Sequence, residues 1–129
     1  MFAGTRPDNL GVKDGRFVAC KPTPNCVSSQ ADPADREHYI APIAFGGTMY
    51  ELHGAVESMT RASVIREDGN YLYAEYKSAL MGYVDDVELL LDEKARLVHV
   101  RSASRLGRSD FGVNRKRIEE LRALIGSRR

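Results

Sequence analysis

Between residues 62 and 103 the chain changes its rhythm, and that change restricts the fold more than any other feature. Just upstream, Leu52, Ala55, Val56 and Met59 recur at helical spacing. From Ala62 onward apolar and polar residues alternate with a period of two, which sends successive side chains to opposite faces of a sheet. Residues 62–67 read as a strand and Asp68-Gly69 as a tight hairpin turn. Residues 70–78 form a second, tyrosine-rich strand, and 79–82 a short connection. Residues 83–91 and 96–103 complete a four-stranded antiparallel meander.

The turns set a register. A turn over 92–95 places Leu91 opposite Arg96, Glu88 opposite His99 and Asp86 opposite Arg101. Pairing Ser78 with Tyr83 places Glu75 opposite Asp86 and Tyr73 opposite Glu88. One face then holds Tyr73, Glu75, Lys77, Asp86, Glu88, His99 and Arg101. The other holds Leu72, Ala74, Tyr76, Val87, Leu89, Leu91, Val98 and Val100, an apolar face that needs a cover.

Two helices are expected to supply it. The first spans 48–61, where Thr48 and Glu51 make a capping-box pattern in which each side chain satisfies a free backbone N–H. His53 falls off its apolar stripe and reads as a surface residue. The second spans 113–125, with Ile118, Leu121 and Ile125 on one stripe and Gly126 as a stop signal. Asn114 shares that stripe, so it needs a hydrogen-bond partner or a capping role. Residues 1–47 are punctuated by Gly and Pro and read as a long irregular segment wrapped around the sheet. The expectation is a single α+β domain over 1–129.

Charge is uneven: residues 1–93 carry 8 Lys/Arg against 15 Asp/Glu, and residues 94–129 carry 11 against 3. The basic segment contains strand and helix patterns and lacks interleaved aromatics, so it reads as a partner for the acidic part of the same domain, and nucleic acid is not the expected partner. No apolar run approaches the ~18 residues that span a bilayer. The first residues show no signal pattern, and a cytoplasmic location is expected.

Cys20 and Cys26 flank a loop stiffened by two prolines, which suits either a small disulfide ring or a pair of thiols. Alone they do not supply the four ligands of a zinc site, and no cofactor is implied.

Three groups of residues could carry chemistry. Glu75, Asp86, Glu88, His99 and Arg101 form cross-strand charge pairs if exposed, and a pocket or an acid–base or metal cluster if covered. The run from Arg101 through Arg105 and Arg108 to Asp110 leads from a strand end to a helix start, where anions bind, or its arginines answer the acidic part of the chain. Cys26 could pair with His99 or His38 as a nucleophile, since such partners meet only in space.

Cys20 to Gln30, the segment from Met81 to Glu88, and the run from Val98 through Asn114 and Arg115 to Arg122 resemble the bacterial and plastid family known as domain of unknown function 1499. The likeness extends from Gly4 to about Ala123. It implies a widespread domain with no established activity. Some members carry export or plastid-targeting segments; this chain shows none, which by the resemblance favours a reducing compartment and thiols at Cys20 and Cys26.

The leading expectation is a non-catalytic binding module for a small polar or anionic ligand or a protein partner. Its site would be drawn from Glu75, Asp86, Glu88, His99, Arg101, Arg105, Arg108, Asn114 and Arg115. A hydrolase-like or thiol-dependent enzyme using Cys26 or His99 is one alternative. A protein-assembly scaffold, which would need a contiguous exposed apolar patch, is the other.

Overall fold

The computed structural model describes residues 2–126. Its elements run β1 (Cys26–Ser28), β2 (Ile43–Ala44), α1 (Met49–Glu57), β3 (Ala62–Asp68), β4 (Tyr71–Lys77), β5 (Val84–Asp92), β6 (Leu97–Ser104) and α2 (Val113–Gly126). The architecture is α+β, with six strands in one sheet and both helices against it. The order is β1-β6-β5-β4-β3, with β2 also paired to β6, and all of these pairs are antiparallel.

The meander is its central part. The sheet is larger than the four strands expected, because the segment read as irregular contributes β1 and β2 to the outer edge of β6. Those two strands cover an edge that would otherwise expose unpaired N–H and C=O groups.

The register of β4 on β5 is the one the short 78–83 connection implies, with Glu75 opposite Asp86 and Tyr73 opposite Glu88. The register of β5 on β6 is not. Asp92 pairs with Leu97, Glu88 with Arg101 and Leu90 with His99. The expected pairs Glu88–His99 and Asp86–Arg101 are therefore replaced. The turn has the expected four residues but sits one position later, at 93–96: the Asp92 carboxylate accepts from the Ala95 N–H at 3.0 Å, and Arg96 takes a left-handed conformation with φ 57°. The slip is two residues, an even number, so every side chain keeps its face. The β3–β4 turn is likewise Gly69–Asn70, and a bulge at Ile65 separates the Val64 and Arg66 pairs.

The apolar face is the core. Leu72, Ala74, Tyr76, Val87, Leu89, Leu91, Val98 and Val100 pack under Leu52, Ala55 and Val56 of α1 and Ile118, Leu121 and Ile125 of α2. Val27, Ile40, Ile43 and Phe45 from the N-terminal part fill the remaining edge. Burying each of these larger aliphatic side chains stabilises by about 1.5–3 kcal/mol. The α1 capping box forms as read, with Thr48 and Glu51 bonded reciprocally, but the helix stops at Glu57. His53 lies at the surface side, 2.6 Å from Glu67.

Candidate functional site

The opposite, charged face is not open. The chain from Ala3 to Ala19 lies across it as a strap. Phe17, Leu10 and Val12 pack on Tyr71, Tyr73 and Leu90. The Gly11 N–H donates to Glu88 Oε2 at 2.7 Å, and Arg101 Nε donates to the Val18 carbonyl at 2.7 Å. Arg6 donates to Glu75 at 2.7 Å, and Arg105 Nη1 to the Ala3 carbonyl at 3.4 Å.

Beneath the strap the charges satisfy one another. Arg105 holds Asp86 through Nε and Nη2, at 2.9 Å to each carboxylate oxygen, and Nη2 also reaches Glu75 at 2.6 Å. The Tyr73 hydroxyl lies within hydrogen-bond reach of both Asp86 and Glu75, which share its single proton, and the Tyr71 hydroxyl donates to Glu88 at 2.6 Å. Arg101 stands 3.9 Å from Glu88. Glu88 is 1% exposed and Asp86 2%, so this network sits at interior depth. Among the described residues no buried side-chain N or O atom lacks a hydrogen-bond partner.

The titration shifts follow from that geometry. Burial pushes the Tyr71 and Tyr73 phenols well up, and their carboxylate acceptors push further. Burial also acts to raise Glu75, but hydrogen bonds from Arg6, Tyr73 and Arg105 outweigh it and hold the carboxyl at about 2. Hydrogen bonding to Asp86 raises Arg105, while burial lowers Arg101.

Of the candidate residues, Glu75, Asp86, Glu88, Arg101 and Arg105 are thus brought together, as a closed internal network with none of them lining a described cavity. His99 shares the face but lies near the 93–96 turn, with Nδ1 3.2 Å from the Ser29 hydroxyl. Arg115 turns away to the Arg36 and Glu37 carbonyls at 3.2 and 3.3 Å. Arg108 is exposed.

The expected anion site between Arg101 and the start of α2 is not assembled, because Arg101 and Arg105 point under the strap. The N-terminus of α2 is already occupied by the Asp110 carboxylate, which accepts from the Gly112 and Asn114 N–H groups at 2.8 and 3.0 Å. Burial acts to raise the Asp110 carboxyl, but hydrogen bonds from Asn114 and Gly112 keep it below its ordinary value.

Cys20 and Cys26 form a disulfide, with Cα atoms 5.7 Å apart, so a Cys26 thiolate paired with His99 or His38 does not form. His38 has Asp35 2.7 Å from Nδ1 and the Thr23 carbonyl 2.9 Å from Nε2, and the Asp35 hydrogen bond raises it. Among the described residues no group of three His, Cys, Asp or Glu side chains could hold a metal ion, and no helix is long and apolar enough to cross a membrane.

An open surface lies elsewhere, at the end of the sheet where β4 turns into β5. Asn114, fully buried, is the hub behind it. Its amide donates to the Asp110 carboxylate and the Ser104 hydroxyl at 2.8 Å and to the Asn25 carbonyl at 3.3 Å, and its oxygen accepts from Ser102. This cluster fixes the 104–112 loop. Within that loop Phe111 adopts φ 53°, a left-handed conformation that costs a bulky residue about 1–3 kcal/mol, followed by Gly112 at φ 81°. The result is a phenyl ring held outward, 96% exposed.

Tyr83, Leu106 and Val113, each partly exposed, share this surface, and Leu80, 91% exposed, and Met81 project from the turn that leads into Tyr83. Phe2 stacks on Tyr83 with ring centroids 5.2 Å apart. Seven of the ten exposed large apolar side chains among the described residues therefore gather at one end, too many to be scattered surface contacts. Four of them, Tyr83, Leu106, Phe111 and Val113, line a cavity of about 310 Å³, with the Asp85–Arg117 ion pair, 2.7 Å long, in its wall. Sequence reasoning missed this surface because Leu80, Met81, Leu106 and Phe111 fall in short turns where no periodicity marks them, while Tyr83 directly precedes β5 and Val113 opens α2. The available signal was apolar residues inside turns, Leu-Met-Gly-Tyr and Asp-Phe-Gly.

A family model described as "Protein of unknown function (DUF1499)" matches residues 16–125. No curated protein and no solved structure matches the chain.

Proposed function

The chain belongs to the DUF1499 family, whose description assigns no activity, and we propose that it is a non-catalytic binding module whose recognition surface is the apolar end around Phe111. The observation that carries this is the projection of Phe111, almost fully exposed, at the rim of a preformed cavity of about 310 Å³, with Leu80 equally exposed in the turn that leads to Tyr83 of the same cavity. A folded protein gains nothing by holding a phenyl ring in water on a left-handed backbone, so a partner that covers the ring gives the strain a purpose. The charged face supports a structural role instead, since its groups are consumed in tying the strap to the sheet.

The same geometry weighs against the enzyme alternatives. The two sulfurs are joined to each other, and both ring nitrogens of His38 already have acceptors. The disulfide also favours an oxidising compartment over the cytoplasm.

Binding of the fluorescent apolar probe anilinonaphthalene sulfonate to the native protein tests the reading. Saturable binding that disappears in a Phe111→Ser, Leu80→Ser variant of unchanged melting temperature is the expected result. No binding to the native protein, or binding untouched by the two substitutions, overturns it.

A further inference from the structure

The partner of the apolar end can be narrowed by the charges around it. Arg61, Lys77, Arg108 and Lys116 are all exposed, and none makes an ion pair among the described residues. Arg61 and Lys77 line the larger groove that shares Ser78, Val113 and Arg117 with the cavity. Arg108 lies in the loop that carries Phe111, and Lys116 is one helical turn from Val113. The local carboxylates are mostly spent: Asp85 on Arg117 and Asp110 on the start of α2, which leaves Glu120. The apolar end is therefore ringed by unpaired positive charge.

That ring selects among occupants. A second copy docked through the same patch would set Arg108 and Lys116 of one molecule near those of the other, and like charges repel. An anionic surface is attracted instead. The apolar groups are also arranged as tips on three separate segments: Phe2, the 79–83 turn with Leu80 and Met81, and the 106–112 loop with Phe111. Tips this exposed need no matching holes if the partner is fluid. The two turns at the other end of the sheet, Gly69–Asn70 and Glu93–Arg96, carry no exposed large apolar side chain.

Building on the proposed binding role, we infer that this end docks peripherally on an anionic phospholipid membrane. Leu80, Met81 and Phe111 enter the boundary between headgroups and acyl chains. Tyr83 and Phe2 sit at headgroup level, and Arg61, Lys77, Arg108 and Lys116 face the lipid phosphates. Electrostatic attraction brings the end to the surface, and burial of the tips holds it there.

The test is co-sedimentation of the full chain with vesicles of phosphatidylglycerol and phosphatidylcholine, and with phosphatidylcholine alone. Binding to the mixed vesicles, weakened by raised salt and weak or absent on the neutral ones, is expected. The Phe111→Ser, Leu80→Ser variant should bind tenfold or more weakly, since each substitution removes a large apolar side chain from the contact. Arg108→Glu with Lys116→Glu should weaken binding on mixed vesicles without changing that on neutral ones. All four positions are exposed, so these variants are expected to fold.

Failure to bind the anionic vesicles, equal binding to both kinds, or indifference to the Phe111 and Leu80 substitutions overturns the membrane inference. The apolar-probe experiment separates the two claims. Probe binding without vesicle binding keeps the docking surface and hands it to a protein partner, while absence of both removes the binding role as well.

Discussion

Replacing Arg105 with methionine keeps an unbranched apolar stem and removes the cation that ties Asp86 to Glu75. In the native protein Arg105 is 7% exposed at its side chain and reaches both oxygens of a carboxylate that is 2% exposed. Without it Asp86 keeps only the Tyr73 hydroxyl as a side-chain donor, and its charge is stranded at interior depth. Breaking a buried pair in this way costs about 3–5 kcal/mol, whereas the same pair at a solvated surface would be worth about 0.2–1 kcal/mol. Glu75 is less affected, because Arg6 still donates to it. For a chain of this length the loss corresponds to a fall in melting temperature of roughly 10–20 °C. Urea unfolding followed by circular dichroism reads the same quantity, with the midpoint moving and the slope constant if the unfolded state is unchanged. Adding Asp86→Asn to the variant should return part of the loss, since it removes the stranded charge. A loss below about 1 kcal/mol for Arg105→Met alone would show that water reaches the network and that the strap does not seal it.

Other outcomes follow from the same contacts. Glu75 titrates at about 2 in the folded chain against 4.5 unperturbed, so its stabilisation is complete above about pH 4.5 and is lost as pH falls through 2. That is roughly 3 kcal/mol at most, and Glu75→Gln should flatten the acid limb of a stability–pH curve; an unchanged limb would count against the assignment. Asn114→Leu strands Ser102, Ser104 and Asp110 behind the 104–112 loop and should cost about 3 kcal/mol in denaturant titration, with a near-neutral result contradicting the hub role. Thiol titration of unreduced, denatured protein should find no free thiol, and two after reduction; finding two at the outset would refute the Cys20–Cys26 bond.

Where local rules act, the sequence was readable. The face assignment of β4, β5 and β6 follows from alternation alone, and it survives the error in the 92–97 turn because the slip is even. That slip was not readable, since it depends on Arg96 accepting a left-handed backbone. The edge strands were hidden for a different reason: runs of three and two residues cannot display a period, and Cys26–Ser28 becomes a strand only because β6 offers it an edge. The strap was hidden because its contacts are non-local, Gly11 to Glu88 and Arg6 to Glu75 among them. Glu75, Asp86, Glu88 and Arg101 share a face as the alternation implies, whereas Arg108 and Arg115 lie apart from it, and whether a grouped charge is a site or a fastening depends on what covers it. Asn114, a polar residue on an apolar stripe, needs hydrogen-bond partners, and Ser104 and Asp110 meet that need.

Hydroxyl-radical footprinting of the intact protein, alone and with phosphatidylglycerol-containing vesicles, addresses both halves of the account at once. In the free protein, Leu80, Met81 and Phe111 should be modified readily while Tyr71 and Tyr73, sealed beneath the strap, are spared. On adding vesicles, Leu80, Met81 and Phe111 should become protected and Tyr50, exposed at the start of α1, should not. Modification of Tyr71 and Tyr73 at the rate of Tyr50, together with a Phe111 signal indifferent to the vesicles, would mean that the charged face is the open one and that the apolar end is not where this protein binds.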